Sequence, residues 1–138
     1  MKILQAIFLS CVIFLLVPKE LEAKDGFLVH LSSKDPHRVS MALSIALKMT
    51  GENDVFVFVD IDGVYPMLKD YENIEYKNFE PVRTMIEKLL KAGVEVAICP
   101  MCLEAAGYTK YQLLDGLKIA EKKDFFDFTN ERIITLDY

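Results

Sequence analysis

The sequence predicts an α/β sandwich built on a mostly parallel sheet, and three observations predict it. Short apolar runs alternate with segments of helical period along the chain. The run Val55-Phe56-Val57-Phe58-Val59, set between Asp54 and Asp60, is apolar on both faces and suits a strand whose sheet is covered by helices on either side. The two clearest helical segments begin at a proline and end at a glycine, Pro36 with Gly51 and Pro81 with Gly93.

Each element follows in order. Gly26-Phe27-Leu28-Val29-His30-Leu31 reads as a buried strand. Asp35 supplies a helix cap before Pro36, and Val39, Ala42, Leu43, Ala46 and Met49 recur on one stripe until Gly51. The strand of residues 55–59 comes next. Residues 60–79 lack a clear period, so a short helix near residues 64–68 is expected inside an irregular loop whose Tyr65, Tyr71, Tyr76 and Phe79 pack against the domain or a neighbouring subunit. Val82, Met85, Ile86, Leu89 and Leu90 form the second amphipathic stripe, and Gly93 ends it before a strand over residues 94–98. A short helix runs from Pro100 to Gly107, and Thr109 with Gln112 has the spacing of a capping box for another. Residues 117–120 read as a fourth strand, residues 122–130 as a helix carrying Phe125, Phe126 and Phe128, and residues 132–137 as the last strand.

The chain's 138 residues make one domain with an ordinary core. Sixteen basic residues against 21 acidic ones, without a basic run, lack the electrostatic footprint of a nucleic-acid binder. At the start, Lys2 precedes an apolar run over residues 3–17, then Pro18 and a small residue at Ala23. That order is a secretory signal over residues 1–23, leaving a domain over residues 24–138 exported to the periplasm and free of the membrane. Leu21 stands where the cut site prefers a small residue, so an uncleaved N-terminal anchor is the competing reading; the run falls short of the roughly 20 residues that span a bilayer.

Cleavage also removes Cys11 and leaves Cys99 and Cys102. Both sit where the third strand meets a helix, the boundary at which open parallel sheets gather their chemistry. With Pro100 at the first helical position, Cys99 falls at the cap. There its sulfur is expected to accept an amide of the first turn and to have its pKa lowered, which favours the reactive thiolate. The acids Asp60, Asp62, Asp70, Glu72, Glu75 and Glu104 oppose this wherever they come close. His30 is expected to tune the sulfur from a strand next to the third, and His37 to lie exposed in the first turn of its helix. A structural disulfide closes only a tiny loop between two cysteines so near in sequence. A zinc site on Cys99, Cys102, His30 and His37 lacks a second Cys-x-x-Cys, and no metal or cofactor is expected. A thioredoxin reading fails because no proline follows Pro100, and a calcium loop at Asp60-Ile61-Asp62-Gly63 fails because its glycine comes two positions early.

Asp35-Pro36-His37-Arg38, Phe56-Val57-Phe58 followed by Asp62-Gly63-Val64-Tyr65, and the third strand running into Cys99-Pro100-Met101-Cys102 with Gly107 beyond resemble the DsrE/DsrF-like family over nearly the whole mature chain. The resemblance implies a three-layer α/β/α sandwich with a five-stranded sheet, assembled as a homo-oligomer, a trimer or hexamer. It also implies a sulfur carrier, sulfurtransferase-like, that holds sulfane sulfur as a persulfide on Cys99 and exchanges it with a donor or acceptor protein. Cys102 matches the extra cysteine of one subset and is expected to resolve or guard the persulfide. His30, His37, Asp62 and Tyr65 are expected to line the site. Two other readings stand beside this one: an oligomeric binding or assembly module with a Cys99–Cys102 disulfide, and a thiol-disulfide oxidoreductase.

Overall fold

The computed structural model describes residues 24–138, so the expected signal or anchor over residues 1–23 lies outside the described residues. Five strands form one all-parallel sheet: β1 (Gly26–Leu31), β2 (Asp54–Val59), β3 (Glu95–Ile98), β4 (Lys118–Ile119) and β5 (Ile133–Asp137). Their spatial order is β4-β3-β2-β1-β5. The expected α/β architecture and parallel sheet are therefore present.

The alternation of side chains across the pleat decides which face packs. Phe27, Val29 and Leu31 stand in register with Val55, Val57 and Val59, and the last two with Val96 and Ile98. Two helices cover this face, α1 (Pro36–Met49) and α2 (Val82–Lys91). Val39, Ala42, Leu43 and Ala46 of α1, with Val82, Met85, Ile86 and Leu89 of α2, are buried in one core with those strands. Burying each of the larger aliphatic side chains contributes about 1.5–3 kcal/mol. Asp35 caps α1 as expected, its carboxylate accepting from the amides of His37 at 3.1 Å and Arg38 at 3.0 Å.

The opposite face carries Leu28 and His30 beside Phe56 and Phe58 and is covered lightly. Two further short helices are α3 (Pro100–Ala105) and α4 (Asp124–Asp127). Only four residues of the segment expected as a helix over residues 122–130 form one. Its Phe125 meets Phe56 and Phe58 edge-on, with centroids 5.5 and 4.8 Å apart, and Phe128 lies 5.5 Å from Phe56. The aromatic contacts, rather than helix length, hold this layer in place.

The irregular loop after β2 contains a 3-10 helix, Ile61–Met67, where a short helix near residues 64–68 was expected. It is tied down from two sides. Leu114 donates to Met67 O at 2.8 Å and Lys69 to Gln112 O at 2.8 Å, while the Arg83 guanidinium of α2 donates to the carbonyls of Lys69 and Tyr71. Tyr65, Tyr71 and Tyr76 pack on the core of the same chain, as the first of their two expected roles has it. The Thr109 amide donates to the Gln112 side chain at 2.9 Å, so the expected pairing forms, on a 3-10 turn over Lys110–Gln112.

Candidate functional site

The carboxyl ends of β1, β2 and β3 converge on the two cysteines. β3 ends at Ile98, and the Cys99 amide donates to Val59 O at 2.8 Å, locking the start of α3 to the end of β2. The chain leaving β2 turns sharply at Asp60, whose amide donates to Leu31 O at 3.1 Å and whose carbonyl accepts from Gly63 at 2.8 Å. Glycine is required at 63 because a Cβ there would meet Leu31 O at 2.4 Å. Within this turn Ile61 has φ +44°. A β-branched residue in that left-handed region is a backbone outlier, and such strain costs about 1–3 kcal/mol where surrounding structure enforces it.

This turn places Ile61 beside Cys102 on one groove, where its amide favours the thiolate. Cys99 and Cys102 are both free cysteines. Cys99 is 9% exposed. Cys102 is more open and lines a groove of about 330 Å³ together with Ile61, Asp62, Tyr65, Ala105 and Ala106. Lys34 covers the rim, its ammonium 3.2 Å from Asp62 and 4.8 Å from the centre of the Tyr65 ring.

One expectation about the sulfurs needs correction. The Cys99 side chain makes no capping hydrogen bond with α3, so the expected acceptance of a first-turn amide is absent. The Cys102 thiol is pushed above the ordinary cysteine value, by desolvation first, against the Ile61 amide and with the Cys99 thiol and the Asp60 carboxylate adding to the rise. At Cys102 the desolvation of the half-buried thiol outweighs the one amide that opposes it, while Pro100 and Met101 at the start of α3 stay exposed.

The histidines also fall differently. β1 neighbours β2 and β5, with β2 between it and β3, so His30 does not act on a sulfur from an adjacent strand. His30 instead sits between two carboxylates, Nδ1 2.8 Å from Asp137 and Nε2 2.9 Å from Asp60, and stacks on Phe58 at 5.6 Å. The Asp60 approach misses hydrogen-bond alignment, leaving His30 Nε2 and Asp60 Oδ1 buried with no well-formed partner. Burial lowers the imidazole pKa, but Asp137 and Asp60 together outweigh it and the net shift is upward. His37 is exposed, as expected, and stacks on Tyr76 with centroids 4.9 Å apart, away from the groove lining.

The groove thus brings Cys102, Asp62 and Tyr65 together, with Cys99 buried outside its lining and His30 paired with Asp60. Sequence reasoning missed Lys34 and Ile61. Nothing in a lone lysine or isoleucine marks these roles; Asp60 was visible as one of the acids, and it is the one that bears on Cys102. No group of three or more potential ligands is placed to hold a metal among the described residues, and no helix among them is long and apolar enough to cross a membrane.

The model of the DsrE/DsrF-like family matches residues 27–136. The chain belongs to the DsrE/DsrF-like family. The uncharacterized protein MJ0989 of Methanocaldococcus jannaschii is 28% identical over 95 residues, covering 68% of this chain and 81% of that protein. Two solved structures share the fold. The ychN protein of E. coli superposes with a TM-score of 0.63 at 19% identity, covering 83% of this chain and 99% of its own. The protein of unknown function MTH1491 from Methanobacterium thermoautotrophicum superposes with a TM-score of 0.63 at 17% identity, covering 82% and 99%. At these identities the structures establish the shared DsrE-like architecture alone.

Proposed function

We propose that the chain is a sulfur-relay protein that carries sulfane sulfur as a persulfide on Cys99, with Cys102 as the resolving or guarding thiol. The observation that carries the reading is the placement of two free cysteines just past the carboxyl end of β3, one sheltered and one facing a groove. A persulfide on the sheltered sulfur is protected from stray reductants, and the groove thiol stands where it controls access.

In loading, the Cys99 thiolate attacks the outer sulfur of a donor persulfide. The new S–S bond forms as the donor's S–S bond breaks, the donor leaves as a thiolate, and the Cys99 proton passes to solvent. In delivery, an acceptor thiolate attacks the outer sulfur and Cys99 leaves as thiolate. Where Cys102 resolves instead, its thiolate attacks Cys99 Sγ, hydrosulfide departs, and a Cys99–Cys102 disulfide forms that a dithiol reductant reopens.

The proposal extends to assembly and place. The lightly covered sheet face, with Leu28 and Phe58 half-buried and Ile133 exposed at the β5 edge, supports a homo-oligomer, and the opening residues support export to the periplasm. The donor or acceptor is a protein.

The test is mass spectrometry after incubation with polysulfide. A gain of about 32 Da, one sulfur atom, that disappears in Cys99→Ser is expected. No adduct, or an adduct that survives Cys99→Ser, removes the carrier role from Cys99.

A further inference from the structure

We propose that His30 is a positioning residue for the thiol chemistry: paired with Asp60 and Asp137, it holds the Asp60–Ile61 turn that lines the groove beside Cys102. This rests on the reading of Cys99 and Cys102 as the reacting pair.

Several observations converge. The turn is strained at Ile61 and therefore needs restraint to persist. Its backbone is pinned to β1 through the Asp60 amide on Leu31 O, one residue beyond His30. Its side chain is held electrostatically by His30, whose Nε2 lies 2.9 Å from Asp60 Oδ1, both atoms buried and without an aligned hydrogen bond. His30 is itself braced on the other side: Asp137 of β5 holds Nδ1 at 2.8 Å, and the Tyr138 amide donates to His30 O at 2.9 Å. The charged groups acting on the imidazole are Asp60, after β2, and Asp137, on β5; Phe58 of β2 stacks on its ring.

Asp60 also bears electrostatically on Cys102. A cationic His30 offsets that carboxylate. When His30 loses its proton, the negative charge beside the sulfur is no longer offset and the thiolate is disfavoured. Cys102 reactivity thus carries two dependences on pH, its own ionisation and the charge on His30.

The experiment measures the rate of iodoacetamide alkylation of Cys102 across pH 5–10 in a Cys99→Ser background, with thermal melting of each variant. His30→Gln is expected to slow alkylation near neutral pH by about fivefold and to remove the histidine step from the profile. Adding Asp60→Asn to His30→Gln is expected to restore the rate to within about twofold, because the offending charge is gone. A His30→Gln protein that melts normally and keeps the parental profile overturns the proposal. Should His30→Gln fail to fold, Asp137→Asn, which removes only the exposed brace, must shift the same step, and an unmoved step overturns it equally. Alkylation needs no sulfur donor, so failure of persulfide loading and failure of this proposal are read separately.

Discussion

The two ends of the sheet handle charge in opposite ways. At the amino ends of β2 and β3, a cavity of about 560 Å³ is lined by Asp54, Glu95, Lys118, Lys123, Asp124 and their neighbours. Its central charges are well paired: Lys118 reaches Glu95 at 2.8 Å and Asp124 at 2.9 Å, and the second Asp124 oxygen accepts the Glu121 amide at 2.7 Å. At the carboxyl ends the groove is smaller, the His30–Asp60 contact is out of line, and Ile61 is strained. Volume alone selects the amino end, yet satisfied charges describe a structural clasp. Strain and poorly matched polar atoms gather at the cysteines, where chemistry gives them a reason to persist.

Substitutions at each end break or sharpen this contrast. The largest effect is expected from Gly63→Ala, because the new Cβ meets a backbone carbonyl that cannot rotate away. A loss of about 3 kcal/mol, the upper range for overpacking, is expected in denaturant unfolding, together with loss of Cys102 alkylation. Normal stability with normal alkylation would show that the turn is not held as described.

Next comes Asp124→Ala, which leaves the Glu121 amide and part of the Lys118 charge unpaired. A loss of about 2 kcal/mol is expected with thiol reactivity unchanged, and altered thiol kinetics would couple the two ends. The same pair of regions sets the pH dependence of melting. Burial raises the Asp124 pKa, but the Glu121 amide and Lys118 outweigh it and the net shift is downward. Its contribution is therefore present above about pH 3.9 and lost as pH falls through the lower folded value. The His30 shift is upward, so its contribution is full below about pH 6.5 and lost as pH rises through the higher folded value. Asp124→Asn should flatten the acid limb of the melting curve against pH, and His30→Gln the neutral-to-alkaline limb. Swapped assignments would reverse the roles given to the two ends.

The smallest effect is expected from Ile61→Gly. Glycine accepts the left-handed backbone without penalty, and Ile61 is 61% exposed, so little packing is lost. Stability should rise by about 0.5–1 kcal/mol in thermal melts, once the greater flexibility of unfolded glycine is deducted from the relieved strain. A fall in stability would mean that the residue is not strained.

Much of the architecture was legible because apolar periodicity, a capping Asp35 and terminal glycines act locally. β1 and α1 fall where their patterns place them. The weak points were segments whose structure depends on partners: residues 117–120 give a two-residue strand at the sheet edge, and the α4 segment is shortened because its phenylalanines serve the sheet face rather than a helical stripe. The cysteines were legible as a pair. The capping hydrogen bond was not deducible, since a side chain's direction at a helix start depends on what fills the space beside it.

By itself the sequence determined the alternating elements, the parallel sheet and the junction that carries Cys99 and Cys102, since these follow from spacing along one chain. Tertiary structure decided that β2 separates His30 from β3, that Cys99 is buried while Cys102 lines the groove, and that Asp60, Ile61 and Lys34 complete the site. Those facts depend on strand order and on groups distant in sequence meeting across the carboxyl end of the sheet. Contacts of that kind leave no local period to read.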